Sequence, residues 1–291
     1  MLGNLANEII FKKAFTDKFV LECLVRDLFN IDFVPDKVET EKRFDPKISH
    51  IDFKYDIFVE SVDGRVIVEI QKIDYDYNFD RFLLYHNMAI AELQRNSKEY
   101  KALKTVYTIV FCTNKYVARE KKGYLVQDDI LIHNSNLFTL DGIERHIFDH
   151  KLIFLNHNYI KNTTPQDYSD WLVLVQQSIQ NPEKPSINMH NQGVRKVSEI
   201  IDYDTLTAEE MSENKIKNAT ESATKAYKDF YQREGEIKAA IEIAFKAISR
   251  SADNDFVASI TGLSVEEIDA LRTGGRKIIK KLIKQKIKNN T

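Results

Sequence analysis

The sequence predicts an α/β fold, a mixed central sheet flanked by helices, continued by an α-helical C-terminal extension. Three observations predict it. Residues 7–29 carry an apolar stripe at helical spacing, with Ile10, Phe11, Ala14, Phe15, Phe19 and Cys23 or Leu24 on one face. Residues 55–72 alternate apolar and polar positions at period two around a central turn, the pattern of a half-buried hairpin. Beyond residue 181 the strand-like runs stop and a charged helical pattern takes over.

Taken in chain order, residues 7–29 read as one helix, residues 51–71 as strands and residues 80–93 as a second helix. TVYTIVFC (105–112) is nearly continuous in apolar residues, as a strand covered on both faces should be. KLIFL (151–155) reads as a further strand. Residues 166–180 read as a helix whose Trp171 belongs to the core. Pro182 and Pro185 mark a domain edge, giving a domain over 1–180, a linker over 181–206 and a long helical segment over 207–250, with Gly235 a candidate break. In residues 251–291, Phe256, Val257, Ile260 and Leu263 form an apolar face and Gly262 a stop. Ser264 and Glu267 then have capping-box spacing. Ile268 and Leu271 close a helix-turn-helix-like unit. Glu266, Glu267 and Asp269 suit a structural hairpin better than a helix facing phosphates.

The hairpin carries the chemistry. Asp63-Gly64 is the dipeptide that most favours a two-residue type I′ turn. With that loop, Asp56 lies opposite Gln71 and Phe58 opposite Glu69, so Asp56, Glu69 and Gln71 share a face while Lys72 points away. Neighbours of this kind sit roughly 5 Å and about 7–8 Å apart, close enough for two carboxylates to share a cation. A four-residue loop keeps this parity and a three-residue loop breaks it. Two such carboxylates repel unless protonated or neutralised. An oxygen-only ligand set suits Mg²⁺ or Mn²⁺. Alternation alone is equally what a half-exposed hairpin with polar residues toward solvent produces.

Composition bounds the rest. The chain has 291 residues, 43% hydrophobic and 30% charged, which is ordinary for a soluble protein. Cys23 and Cys112 stand far apart in apolar settings, so the expectation is two buried thiols, a reducing compartment and a cytoplasmic protein. The first residues carry charges where a signal peptide's apolar run would be, and no run is long enough to span a membrane. No Gly-rich phosphate loop and no Ser–His–Asp arrangement can be read. His146 and His150 lack the glutamate and third ligand of a zinc helix motif, and His86 reads as a packed histidine. Arg272, Arg276, Lys277, Lys280, Lys281, Lys284, Lys286 and Lys288 form a basic tail on a chain of net charge −2, leaving about −10 on the remainder. Such an arm could offset the repulsion between an acidic body and DNA. Its Ile278, Ile279, Leu282 and Ile283 fit equally a helix packed on a partner.

Asp, a strand, a turn and a strand ending Glu-x-Gln resembles the PD-(D/E)xK nuclease core, with Gln71 in place of the usual lysine. With its flanks the chain resembles the Rpn-type recombination-promoting nucleases, a transposase-related family of that superfamily. NEIIFKKAF (7–15) resembles the family's opening, with Glu8 where Asp is more usual. DRFLLYHNMAIAEL (80–93) resembles its Arg-and-Tyr helix, and KEYKALKTVYTIVFC (98–112) its lead into a strand. EGEIKAAIEIAFKAISRSADNDFVASITGLSVEEIDAL (234–271) resembles its helical tail. Most of the chain is covered in the right order, and residues 181–234 carry little of the likeness.

The resemblance implies a PD-(D/E)xK nuclease-like fold and metal-dependent endonuclease activity on DNA. Asp56, Glu69, the Ile70 carbonyl and Glu8 would hold the metal. Gln71 would orient water or phosphate, and Arg81 and Tyr85 would contact the scissile region. The metal, Arg81 or Lys12 would supply the charge that Gln71 lacks. With Lys12, the tail residues Lys277, Lys280, Lys281 and Lys284 are the candidate DNA contacts, and the C-terminal helices a candidate homodimer interface. The alternative is a catalytically weak or inactive DNA-binding or assembly protein that keeps the fold.

Overall fold

The computed structural model describes residues 1–44, 53–71, 79–93, 104–116, 119–275, 278–279 and 282–283. Lys72 and the tail residues Lys277, Lys280, Lys281 and Lys284 lie outside them, as do Arg276, Lys286 and Lys288. The chain divides into two units, residues 1–214 and 215–291.

The predicted first helix is two. α1 (Glu8–Phe15) is capped by Asn7, whose side chain accepts from the Ile9 N–H, and α2 (Lys18–Phe29) by Asp17, whose carboxylate accepts from the Val20 N–H. Asp17 competes for the backbone as a cap rather than continuing a helix, and this breaks the single stripe. β1 (Lys37–Phe44), β2 (Phe53–Glu60) and β3 (Gly64–Gln71) follow, then α3 (Phe79–Glu92), β4 (Thr105–Cys112), β5 (Ile130–Asn134), a small ribbon of β6 (Leu137–Phe138) with β7 (Glu144–Arg145), and β8 (Lys151–Asn156). The sheet runs β1-β2-β3-β4-β8-β5, with β3-β4 and β4-β8 parallel and the other pairs antiparallel. A parallel pair needs a crossover, and α3 supplies it between β3 and β4.

The sheet is covered on both faces. Ile57, Val59, Val66, Val68, Ile109, Phe111, Ile153 and Leu155 pack with α1, α2, α4 (Gln166–Gln180) and α5 (Gln192–Ile200). Tyr55, Phe58, Ile67 and Val106 meet Tyr85 and Ala89 of α3 on the other face. Residues 192–206, expected as linker, are part of the first core: Val194, Val197, Ile201 and Leu206 are buried in it. Gly193 makes this docking close, because a Cβ there would lie 2.6 Å from Cys23 Cβ and 2.7 Å from the Trp171 ring. Trp171 is fully buried and donates to Asp27 at 2.9 Å.

The hairpin register differs from the two-residue-turn expectation. Phe58 pairs with Ile67 and Glu60 with Arg65, so the loop is Ser61-Val62-Asp63-Gly64. Neither Asp63 nor Gly64 has the positive φ that a type I′ turn requires. Both are tied into the sheet, Gly64 opposite Thr105 and the Asp63 carbonyl accepting from the Thr105 N–H. The four-residue loop slides the pairing by two, which keeps its parity and brings Glu69, not Gln71, level with Asp56.

In the second unit, Ile237, Ile241 and Ala244 of α6 (Ala208–Ser249) pack with α7 (Asn254–Thr261) and α8 (Val265–Gly274) through Val257, Leu263, Ile268 and Leu271. α6 runs unbroken through Gly235. Gly262 caps α7 at φ 65, and Ser264 and Glu267 form the expected capping box. Among the described residues no helix is long and apolar enough to cross a membrane.

Candidate active site

The site lies where β2 departs from regular pairing. On one side, the β2–β3 ladder ends at Ile57–Val68. Side chains take over from there: the Glu69 carboxylate accepts the Asp56 N–H at 3.0 Å, and the Asp56 carboxylate accepts the Ile70 N–H at 3.1 Å. On the other side, Thr40–Ile57 and Lys42–Tyr55 bracket Asp56, placing Glu41 of β1 across from it. Glu41 adopts φ 58, uncommon for a residue with a Cβ. Strand alternation shifts here as well. Tyr55 and Phe58 pack together on the α3 face, ring centroids 5.9 Å apart, while Ile57 between them joins the opposite core.

α1 delivers the remaining charged groups. Carboxylate oxygens of Glu8, Glu41 and Asp56 lie within 4.8 Å of one another. The Lys12 ammonium sits among them, 2.6 Å from Glu8 and 3.7 Å from Asp56, and in contact with Glu41. Lys54 pairs with the other Glu41 oxygen. Glu69 lies behind Asp56, joined to it through the Asp56 peptide, and is only 2% exposed.

Burial governs the electrostatics. It raises the Glu69 carboxyl well above the usual carboxylate range, with the Asp56 charge adding to the effect. Burial also raises Asp56, opposed by the Ile70 N–H and by Lys12 and Arg81. A pair of acids such as Asp56 and Glu69, both raised, is one that a cation stabilises, and the donors are all oxygen, which fits a hard dication.

The other sequence-derived candidates divide. Gln71 follows Glu69 by two positions on β3 and is 4% exposed. Its main-chain carbonyl accepts from the Thr113 N–H at 3.1 Å. Ile70 gives its N–H to Asp56. Arg81 is exposed, its guanidinium 5.0 Å from the Tyr85 ring centre. Tyr85 is a core residue, packed at 5.3 Å from Phe53 and Tyr55, and its carbonyl accepts the Tyr55 hydroxyl at 2.9 Å. His86 is fully buried beside Thr108, and His150 accepts the Val106 N–H, so neither stands in the acidic cluster. Glu41 was not legible as a site residue. Its only sequence signal is the alternating acid of Val-Glu-Thr-Glu in a charged segment, and nothing in that pattern ties it to Asp56.

A family model described as PD-(D/E)XK nuclease family transposase matches residues 19–233, more than half of the chain. The match begins after α1, so Glu8 and Lys12 fall outside it. No curated protein and no solved structure matches the chain.

Proposed function

Because the chain belongs to the PD-(D/E)XK nuclease family transposases, we propose that it is a divalent-metal-dependent DNA endonuclease acting in recombination or mobile-element biology. The observation that carries this reading is the reciprocal bonding of Asp56 and Glu69 across the end of the β2–β3 ladder, which fixes a half-buried and a buried acid beside each other. Asp56 and Glu69 would hold Mg²⁺ or Mn²⁺, with Glu8 and the Ile70 carbonyl completing the oxygen set. When bound, such an ion offsets the acids' charge, lowers the pKa of a coordinated water and polarises a phosphoryl oxygen. Gln71 has an amide able to donate and accept, suited to holding a water or a phosphate oxygen. Arg81, anchored over Tyr85, presents a cation for the substrate phosphates beside the acids. Lys12 stands on the acidic cluster and would reach a phosphate only by leaving it, and the basic C-terminal tail would add salt-sensitive contacts to the DNA backbone.

The two buried free thiols, Cys23 and Cys112, support a cytoplasmic setting. For self-association, we assign the exposed aromatic face of α6 at Tyr227, Phe230 and Tyr231 to a second copy. Light scattering of the full chain against a Tyr227→Ser, Phe230→Ser variant should read a halved mass. An unchanged mass would remove the assignment.

The decisive test is cleavage of supercoiled plasmid with Mg²⁺, Mn²⁺ or EDTA, comparing wild type with Asp56→Ala and Glu69→Ala. Metal-dependent nicking lost in both variants upholds the reading. Salt-sensitive DNA binding without scission, unchanged by Asp56→Ala, would instead favour a DNA-binding or assembly protein. The observation on that side is Gln71, which brings no ammonium to the lysine position.

A further inference from the structure

We propose that Glu41 is a ligand of the metal at this site and that Lys12 is a built-in stand-in cation which the metal must displace. This rests on the nuclease reading and adds to it a residue that neither the hairpin motif nor the likeness to the family designates. Three observations converge on it. Glu41 projects from β1 into the same small volume as Asp56 and Glu8. It does so at φ 58 in the middle of a strand, at the one position where the β1–β2 pairing skips. The volume already holds a positive charge, because the Lys12 ammonium contacts the carboxylates of Glu8, Glu41 and Asp56 together while being only 14% exposed. An ammonium among three carboxylates answers the same charge requirement as a dication, and the two cannot occupy one position. Lys54, on the outer oxygen of Glu41, holds that carboxylate in place while the inner oxygen changes partner.

Displacement has a consequence beyond affinity. Once an ion takes the position, Lys12 is released next to the acids, where a phosphate is its natural counter-charge. Metal loading and exposure of a phosphate-binding cation are thereby one event, and the metal-free protein hides the lysine on its own acids.

The experiment is a Mn²⁺ titration followed by electron paramagnetic resonance of the free ion, without DNA. It compares wild type, Asp56→Ala, Glu41→Gln, Glu41→Gly and Lys12→Gln, each checked by metal-free thermal unfolding. Glycine adopts positive φ without strain, so Glu41→Gly removes the carboxylate without adding a folding cost at that residue's backbone. The expected result is loss of binding in Asp56→Ala, affinity about tenfold weaker in both Glu41 variants, and affinity about tenfold tighter in Lys12→Gln, where a nearby positive charge has gone. Wild-type affinity in both Glu41 variants, with binding lost in Asp56→Ala, would overturn this inference and leave the nuclease reading standing. Wild-type affinity in Asp56→Ala would remove the metal reading itself, and the inference with it. Binding seen only in Lys12→Gln would uphold the stand-in role, and binding in none of the proteins would overturn it.

Discussion

Asp56 and Glu69 each complete the other's strand: the Glu69 carboxylate receives the Asp56 N–H at 3.0 Å, and the Asp56 carboxylate receives the N–H of Ile70, the residue after Glu69, at 3.1 Å. The pair is therefore part of the sheet as well as part of the site. Function and stability at these positions can be separated by experiment.

Glu69→Gln keeps an acceptor for the Asp56 N–H and removes a buried charge. The Glu69 pKa is raised in the fold, so the folded state binds more protons than the unfolded one, and this residue's contribution to stability falls as pH rises above the ordinary value of 4.5. In EDTA at pH 8 the variant should unfold at a temperature equal to or above wild type. It should lose the rise in Tm given by Mn²⁺, and lose cleavage on the order of a hundredfold or more. Differential scanning fluorimetry with and without the ion checks the first two. A variant that melts earlier than wild type in EDTA would contradict the assignment of Glu69 as a strained buried carboxylate.

His86 predicts an acid-sensitive fold. Buried against Thr108 of β4, with His150 and His133 as its charge-bearing neighbours, it has a pKa pushed down to about 3 from 6.5. The folded state then binds fewer protons, so the stabilisation is complete above pH 6.5 and is lost as pH falls from there toward 3. Asp56 and Glu69 act in the opposite sense, which makes the difference between two proteins the informative quantity. His86→Gln should lose less urea resistance than wild type between pH 7 and 4. Parallel curves would show that His86 does not carry the effect.

Gly193→Ala places a methyl group 2.6 Å from Cys23 Cβ. Overpacking of this kind costs about 1–3 kcal/mol. Denaturant titration of the full chain, following Trp171 fluorescence, should show the loss as a lower midpoint. An unchanged midpoint would mean that α5 does not dock on α2 as described.

Asp17→Ala removes the cap that starts α2 and should cost about 1 kcal/mol. Because the break between α1 and α2 sets where α1 points, the same variant should also change Mn²⁺ affinity through Glu8 and Lys12. Isothermal titration reads this directly. A loss of stability with unaltered affinity would show that α1 is placed without help from the cap.

The parity of the cross-strand pairing was legible, since a loop of two or four residues gives the same parity, but the shift of alternation between Tyr55 and Ile57 was not. The register was not, since Gly64 is held opposite Thr105 by β4, a long-range contact that local turn preference does not contain. α5 was hidden by composition: Val194, Val197 and Ile201 are few among polar residues, and Gly193 reads as loop until Trp171 is seen against it. The cluster was half legible. Asp56 and Glu69 stand in one hairpin and the resemblance names Glu8 and Lys12, whereas Glu41 reaches the site from a strand whose packing no short pattern specifies.

Among the described residues β1 closes one end of the sheet order, and no described strand pairs with its outer row of backbone groups. An uncovered edge of this kind invites another chain to add a strand and start aggregation. Lys37, Glu39, Glu41, Lys42 and Arg43 crowd this one with charge of both signs, and an incoming strand would have to desolvate them. The segment that lends a carboxylate to the acidic cluster thus also discourages strand addition, and substitutions that made β1 a smoother, more apolar strand would favour aggregation.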